Sequence, residues 1–542
     1  MKKAAMAAMV FGAMVFWLPM LADPYMTPRL LIVAAAAGIA LFAKSDRSTT
    51  LETPALCMVA AAVISCVFAH DKLYAIIGSY QFGMDSLLAF VCYFCVLLAS
   101  ARSGFSVCAT SRMVVIASFP VSIYGIFQRF FADPLLWGGI HIGNRIASTQ
   151  GGPIFLGAVL ALVVICAVHH ARKGDRTAAA ALALAVTALW FTQTRGAILA
   201  AAIGSAFMFR WAWLAAIPAL LLMPRFFNSA VSDMARIEVW KTAWRTFEGN
   251  PLTGYGIGNF YLAFRRYTDT TLVGIVKGAT YVQSHAHNDI LHVLATMGVI
   301  GLAAYAFLGY SVVRVALTHT EKKFLLGIIA AYAVLSFFNP VTTSAFMMLA
   351  LIFGAASSKV EPVMKRRVLP ALASIVVTLS IGRLTLADWH YAKGHKAPTK
   401  ALQAYEFQEA SRLNPWEMFY TCRRVDSLVS AIPYMELAQR RPAALAGRDL
   451  AAKAVKLHPF DSYAHELYGK QVLIGYIAGF RDVRPEDALA AFNKAQELAP
   501  TFEMIMWRRR NAAQAMGLMG EMMRASEDIA ILHGAKVQGR KG

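Results

Sequence analysis

Residues 1 to about 386 are a succession of apolar runs broken by short polar loops, and nothing else in the sequence constrains the fold as much. A helix needs about 20 mainly apolar residues to cross a bilayer. About thirteen such runs are present, centred near residues 12, 36, 62, 90, 121, 162, 185, 202, 218, 300, 330, 349 and 377. Lipid offers the backbone no hydrogen-bond partners, so each run reads as a helix. Only 15% of all residues are charged, where a soluble chain carries about a quarter. The deficit ends near residue 387, beyond which the composition is that of a soluble protein. The expectation is an all-α protein: a polytopic membrane bundle of about 12–13 spans over 1–386, then a soluble α-helical domain over 387–542.

The net charge is +21. In a soluble protein that would suggest nucleic acid. Here the basic residues alternate between loops as the positive-inside rule requires, so no nucleic-acid partner is expected. Expected inside loops hold Lys44 and Arg47; Arg102 and Arg112; Arg172, Lys173 and Arg176; Arg210; Arg314, Lys322 and Lys323; Lys359, Lys365, Arg366 and Arg367. An odd number of spans puts the C-terminal domain outside. The first run follows Lys2 and Lys3 and also fits a signal peptide, whose removal would leave the later topology unchanged. Of seven cysteines, Cys422 alone lies in the soluble part, so that part has no internal disulfide. Cys92 and Cys95 have CxxC spacing inside an apolar run, with no second pair to complete a zinc site. Neither a metal nor a cofactor is expected.

Four segments carry candidate chemistry. "GNRIASTQGGPIFLGAVL", residues 143–160, places Arg145 outside a span, beside Asn144 and Ser148; a snorkelling arginine in an ordinary loop also fits. "FTQTRGAILAAAIG", residues 191–204, puts Arg195 in a tight outside turn at a helix N-terminus, where free N–H groups and a planar guanidinium both suit phosphate. The long loop from about 227 to 288 contains "RIEVWKTAWRTFEGNPLTGYGIGNF". There Arg236, Trp240 and Trp244 share a helix face, and the indoles suit either sugar stacking or interfacial anchoring. "YVQSHAHNDILHVLATMGVIGL", residues 281–302, brings His285 and His287 to the start of a span, with Asn288 or Asp289 as its N-cap. A neutral imidazole is a natural base for a hydroxyl. The His-x-His spacing lacks the i, i+4 geometry of a helical zinc site.

Taken in order, these segments resemble the O-antigen ligase and polymerase superfamily. "RIASTQGGPIFLGA", "TQTRGAIL" and the pair "RIEVWKTAWRTFEGNPLTGYGIGNF" with "SHAHNDILHVLATMGVIGL" carry the resemblance, which covers roughly residues 140 to 305. It implies a metal-independent, inverting glycosyl transfer from undecaprenyl diphosphate by a bacterial inner-membrane protein whose active site and C-terminal domain are periplasmic. The acceptor would be lipid A-core in a ligase, another lipid-linked repeat in a polymerase, or a protein hydroxyl in an O-oligosaccharyltransferase; ligase ranks first. Carried over, His287 activates the acceptor while Arg195, with Arg145 or Arg236, stabilises the departing diphosphate. Trp240, His285 and Asn288 would line the sugar or diphosphate site, with His285 the second choice as base. A transporter of lipid-linked glycan would share the spans, but usually has charges within them and internal repeats.

The C-terminal region repeats a pattern: "FQEASRLNP" (407–415), "AAKAVKLHP" (451–459) and "FNKAQELAP" (492–500). The spacing of about 44 and 41 residues exceeds the 34 of a tetratricopeptide repeat. Helical hairpins resembling such repeats are expected, with inserts near 423–442 and 473–485. They would serve as a docking surface for a protein partner or as a cap over the membrane domain.

Overall fold

A computed structural model describes residues 1–78, 85–131, 144–209, 230–276, 282–340, 342–365, 367–480 and 483–532. The first nine helices are α1 (Lys2–Met14), α2 (Met26–Phe42), α3 (Glu52–Phe68), α4 (Lys72–Ile77), α5 (Leu87–Ser103), α6 (Val107–Phe130), α7 (Pro153–Ala171), α8 (Arg176–Thr192) and α9 (Arg195–Ala206). The long loop contributes α10 (Ala230–Gly249), α11 (Phe260–Tyr267) and α12 (Thr270–Val276). The bundle resumes with α13 (Asp289–Thr318), α14 (Lys322–Phe338), α15 (Thr343–Ala356) and α16 (Val368–Lys396). Every expected span centre falls in one of these helices except that near 218, which lies outside the described residues, as does Arg210. Four helices (α6, α7, α13 and α16) are long and apolar enough to cross a membrane alone. Six shorter apolar helices, α2, α3, α5, α8, α9 and α15, pack with them. This is the all-α, multi-pass architecture expected.

The central helix is α7. Its sequence PIFLGAVLALVVICAVHHA has no Lys, Arg, Asp or Glu and is buried on all sides, as a helix apolar all round must be. It is packed by α6, α8, α9 and α14. The helices start where polar side chains can take the first free N–H groups: Ser86 caps α5, Ser106 caps α6, Asp175 caps α8 and Thr342 caps α15.

Loops expected on the inside share one end of the bundle. Strands β1 (Ser45–Thr49) and β2 (Ser358–Lys365) pair antiparallel there, with Arg47 opposite Val360. At the same end Arg112 pairs with Asp175 at 3.0 Å and Lys173 with Glu321 at 2.6 Å. The segments around Arg145, Arg195 and His287 gather at the other end.

One feature of the fourth segment has a clear physical cause. Helix α13 breaks at Gly298, whose φ of 63° and ψ of −161° only glycine adopts readily. The loop "NPLTGYGIG" fills the break. Tyr255 and Gly256 donate to the carbonyls of Ala295 and Thr296 at 2.8 and 3.0 Å, and Val299 donates to Pro251 O at 2.9 Å. The backbone groups freed by the break are thus paired with protein, as a low-dielectric site demands. A Cβ on Gly254 would stand 2.2 Å from the Thr296 carbonyl carbon, so only glycine allows this approach.

Helix α16 leaves the bundle, where it packs on α2 and α5, and continues into the C-terminal region without interruption. The expected boundary at 386/387 therefore falls inside a helix. Seven further helices follow: α17 (Lys400–Leu413), α18 (Met418–Ala431), α19 (Leu437–Leu457), α20 (Ser462–Ile477), α21 (Pro485–Leu498), α22 (Glu503–Ala515) and α23 (Met519–Leu532). Each packs against the next. The sequence repeat is a repeated helix ending. Ala410, Ala454 and Ala495 are buried near the ends of α17, α19 and α21, and their carbonyls accept N–H bonds from Asn414, His458 and Ala499. Each of those three residues precedes a proline, which forbids further helix. Most of the expected insert 423–442 is helical, in α18 and α19.

Candidate functional site

Arg145 approaches from the loop before α7. Its Nε donates to Thr192 O at 2.8 Å and its Nη2 to Thr194 Oγ1 at 3.2 Å. Thr194 is the N-cap residue of α9, whose first residue is Arg195. The Thr194 hydroxyl turns to Pro153 O at 3.1 Å and makes no cap bond. Arg195 Nη2 meets Asp233 Oδ1 at 2.5 Å, and Arg236 Nη1 meets the same oxygen at 3.5 Å. One carboxylate oxygen from α10 therefore ties two guanidinium groups that are distant in sequence. Burial, and then the charge of Arg236, push the Arg145 pKa below its usual value; an arginine keeps its charge through such a shift.

His287 is held beside these arginines. Burial, followed by the positive charges of Arg236 and His292, holds its pKa down to about 4. Its backbone φ is 56°, a conformation rare for a side-chain-bearing residue. The backbone N–H donates to His285 Nδ1 at 3.0 Å, and Nε2 lies 3.1 Å from Gln283 Oε1. With Nε2 carrying the hydrogen toward that oxygen, Nδ1 is the nitrogen with the lone pair; it is buried and has no hydrogen-bond partner among the described residues. Asn288 accepts the Leu291 N–H at 3.0 Å, which caps α13 and fixes the direction in which His287 leaves the helix.

His285 has a different setting. It stacks on His292 at 3.9 Å between ring centroids and lies 3.4 Å from Asp289 Oδ1. Burial first, then His292 and His287, take its pKa well below the usual value. His292 in turn meets Asp85 at 3.2 Å, and Asp289 accepts from Tyr332 at 2.9 Å. This network closes the polar end of a cavity of about 390 Å³ between α3, α5, α13, α14 and α15. Elsewhere the cavity is apolar, lined by side chains such as Met58, Phe94, Leu97 and Phe346.

Trp240 lies one helical turn beyond Arg236 on α10. Its ring meets Phe337 edge-on at 5.6 Å, and it borders a shallow groove with Trp244, Lys241 and Leu291. The structure thus brings Arg145, Arg195, Arg236 and His287 together, with His285 behind them. Sequence reasoning missed Asp233. Its place one helical turn before Arg236 was visible, but its bond to Arg195 spans 38 residues of sequence.

Backbone strain follows the same segments. Among the described residues, the non-glycine residues with positive φ are Ser148, Gln193 and His287. Each lies in one of the four segments singled out above, and strained backbone of this kind collects at functional sites.

Residues 154–306 match the family model described as O-antigen ligase. This part of the chain is O-antigen ligase-like. The matched range holds Arg195, Asp233, Arg236, Trp240, His285, His287 and Asn288; Arg145 lies just before it and the C-terminal helices lie beyond it. A search of curated proteins finds no match. The match supports the superfamily resemblance and, broadly, glycosyl transfer in O-antigen assembly by a multi-pass membrane protein.

Proposed function

We propose that the chain transfers a glycan from undecaprenyl diphosphate to an acceptor hydroxyl at the periplasmic face of a bacterial inner membrane, as an O-antigen ligase acting on lipid A-core. The supporting observation is that Arg195 and Arg236 meet on one carboxylate oxygen, with Arg145 near enough to Arg236 to feel its charge and a neutral imidazole beside them. Such a site offers guanidinium donors to an anion and an unprotonated base at neutral pH.

The acceptor O–H loses its proton to His287 Nδ1 as its oxygen bonds to the anomeric carbon. The bond from that carbon to the diphosphate oxygen breaks, and its electron pair leaves with the diphosphate. Arg195 and Arg236, with Arg145 behind them, balance the charge of that leaving group. Attack opposite the leaving group inverts the anomeric centre. No metal enters these steps, because the guanidinium groups supply the fixed positive charge. The apolar cavity whose His285 and Asp289 end adjoins His287 offers room for an isoprenoid chain. A polymerase or protein transferase would share the donor chemistry.

The test is deletion of the gene and gel analysis of surface glycans. Polymer that no longer joins lipid A-core supports the ligase. Single repeats on core would replace it with the polymerase. Unchanged lipopolysaccharide with a shifted secreted protein would replace it with the protein transferase. No change in any glycan, with lipid-linked donor trapped on the inner leaflet, would favour a transporter and overturn transfer.

A further inference from the structure

At the opposite end of α7, about 28 Å away for 19 residues at 1.5 Å each, the structure gathers a second set of reactive side chains. Cys108 opens α6, His169 ends α7 and Glu321 directly precedes α14. Cys108 Sγ lies 3.8 Å from His169 Nε2 and 3.1 Å from Glu321 Oε1. His169 Nε2 lies 3.6 Å from Glu321 Oε2. Three donors on a tetrahedral zinc ion, with bonds near 2.0–2.3 Å, stand roughly 3.3–3.6 Å apart. The observed separations scatter around that range, and one ligand atom from each residue fits within 4.8 Å of the others.

We propose that Cys108, His169 and Glu321 form a three-ligand site for a divalent cation of the zinc class, with its fourth position open to water. The donor set suits such an ion: a thiolate, an imidazole nitrogen and a carboxylate. The site is built into the packing. His169 is buried, and its ring lies 4.4 Å from Phe324. A cation already occupies the position: the Lys173 ammonium lies 2.6 Å from Glu321 and 3.4 Å from Cys108. Its side chain is 47% exposed, so it can swing into solvent as a metal enters. Metal binding releases the Cys108 proton to water and replaces one cation by another of higher charge. The ion fastens the ends of α6, α7 and α14, at the face away from the glycosyl-transfer site. The pattern is invisible in sequence because His169 and Glu321 lie 61 and 213 residues from Cys108.

The experiment is Co²⁺ titration of the tag-free full chain in detergent. One equivalent should give a thiolate-to-cobalt charge-transfer band and the visible spectrum of a tetrahedral ion, and Zn²⁺ should displace both. Cys108→Ser should remove the charge-transfer band, while Cys57→Ser should leave it. His169→Ala and Glu321→Gln should each weaken binding by about tenfold or more. Lys173→Ala should bind more tightly, a gain that a misfolded variant would not give. No band at one equivalent, a band that survives Cys108→Ser, or unchanged affinity in Lys173→Ala would each overturn the site.

Discussion

The candidate site and the seam that holds the C-terminal helices are both clusters of ionisable groups, one partly exposed and one buried. In the candidate site, Arg195 and Arg236 meet on Asp233, Arg145 lies within range of the Arg236 charge, and the neighbouring imidazole is kept neutral. In the seam that joins the C-terminal helices to the membrane part, charges are paired. His458 meets Asp71 at 2.5 Å, and Arg265 meets Asp461 at 3.6 Å while lying 3.6 Å from the Tyr463 ring centroid. Tyr261 adds a hydrogen bond to Asp461 at 3.0 Å. Guanidinium groups gathered at a loop cluster offer an anion several donors at once. Matched charge needs no ligand and serves as a fastening. The difference separates a site from a structural joint more sharply than the count of arginines does.

The largest effects should come from removing what is unbalanced. Arg195→Ala and His287→Ala should each lower the turnover of reconstituted glycan transfer by about 10²–10⁴, typical of a lost base or a lost charge stabiliser. Membrane levels should stay normal. Wild-type turnover in either variant would put the chemistry elsewhere.

Breaking the seam should act on structure instead. Arg265→Met strands Asp461 in a site where the pair is almost wholly buried, and losing one partner of a buried pair costs about 3–5 kcal/mol. Limited proteolysis should then release the C-terminal helices. Unaltered protection would mean that the apolar contacts of Tyr261, Met418 and Leu467 suffice without the ion pair.

The two clusters should also answer pH in opposite directions. Burial opposes a charged His458, but the hydrogen bond and charge of Asp71 outweigh it, and its pKa is raised. A raised imidazole pKa gives stability that is complete below the usual value of about 6.5 and is lost as pH rises through the folded value. Docking should therefore loosen in alkali, seen as faster hydrogen exchange in α4 and α20. His287 is the reverse: with its pKa near 4, transfer should hold at neutral pH and fall as pH drops through that value. An acid limb near 6.5 instead would mean that His287 is as solvated as a free imidazole.

The smallest effect belongs to Asp233→Asn. Asp233 is about half exposed, and exposed pairs contribute little, so turnover should change by less than about tenfold. The affinity for donor should rise slightly as the cluster loses that counter-charge. Abolished turnover would make Asp233 part of the chemistry and the two clusters less different than they look.

Much of this was legible from residue order. Apolar runs longer than a soluble helix needs dictated a membrane bundle, because no other structure satisfies a backbone in lipid. The alternation of basic loops pointed to two ends, and the Pro/Gly cluster after Glu248 marked a turn; that its backbone docks into the break at Gly298 is visible only in the structure. The repeats at Ala410, Ala454 and Ala495 marked three equivalent helix endings, since proline must stop a helix wherever it falls. Tertiary structure alone decided which charges face each other. Asp233 with Arg195, Asp71 with His458, and Cys108 with Glu321 are joined by packing between distant segments. Periodicity along a chain fixes which face a residue takes on its own helix; it carries no record of the helix that comes to lie opposite.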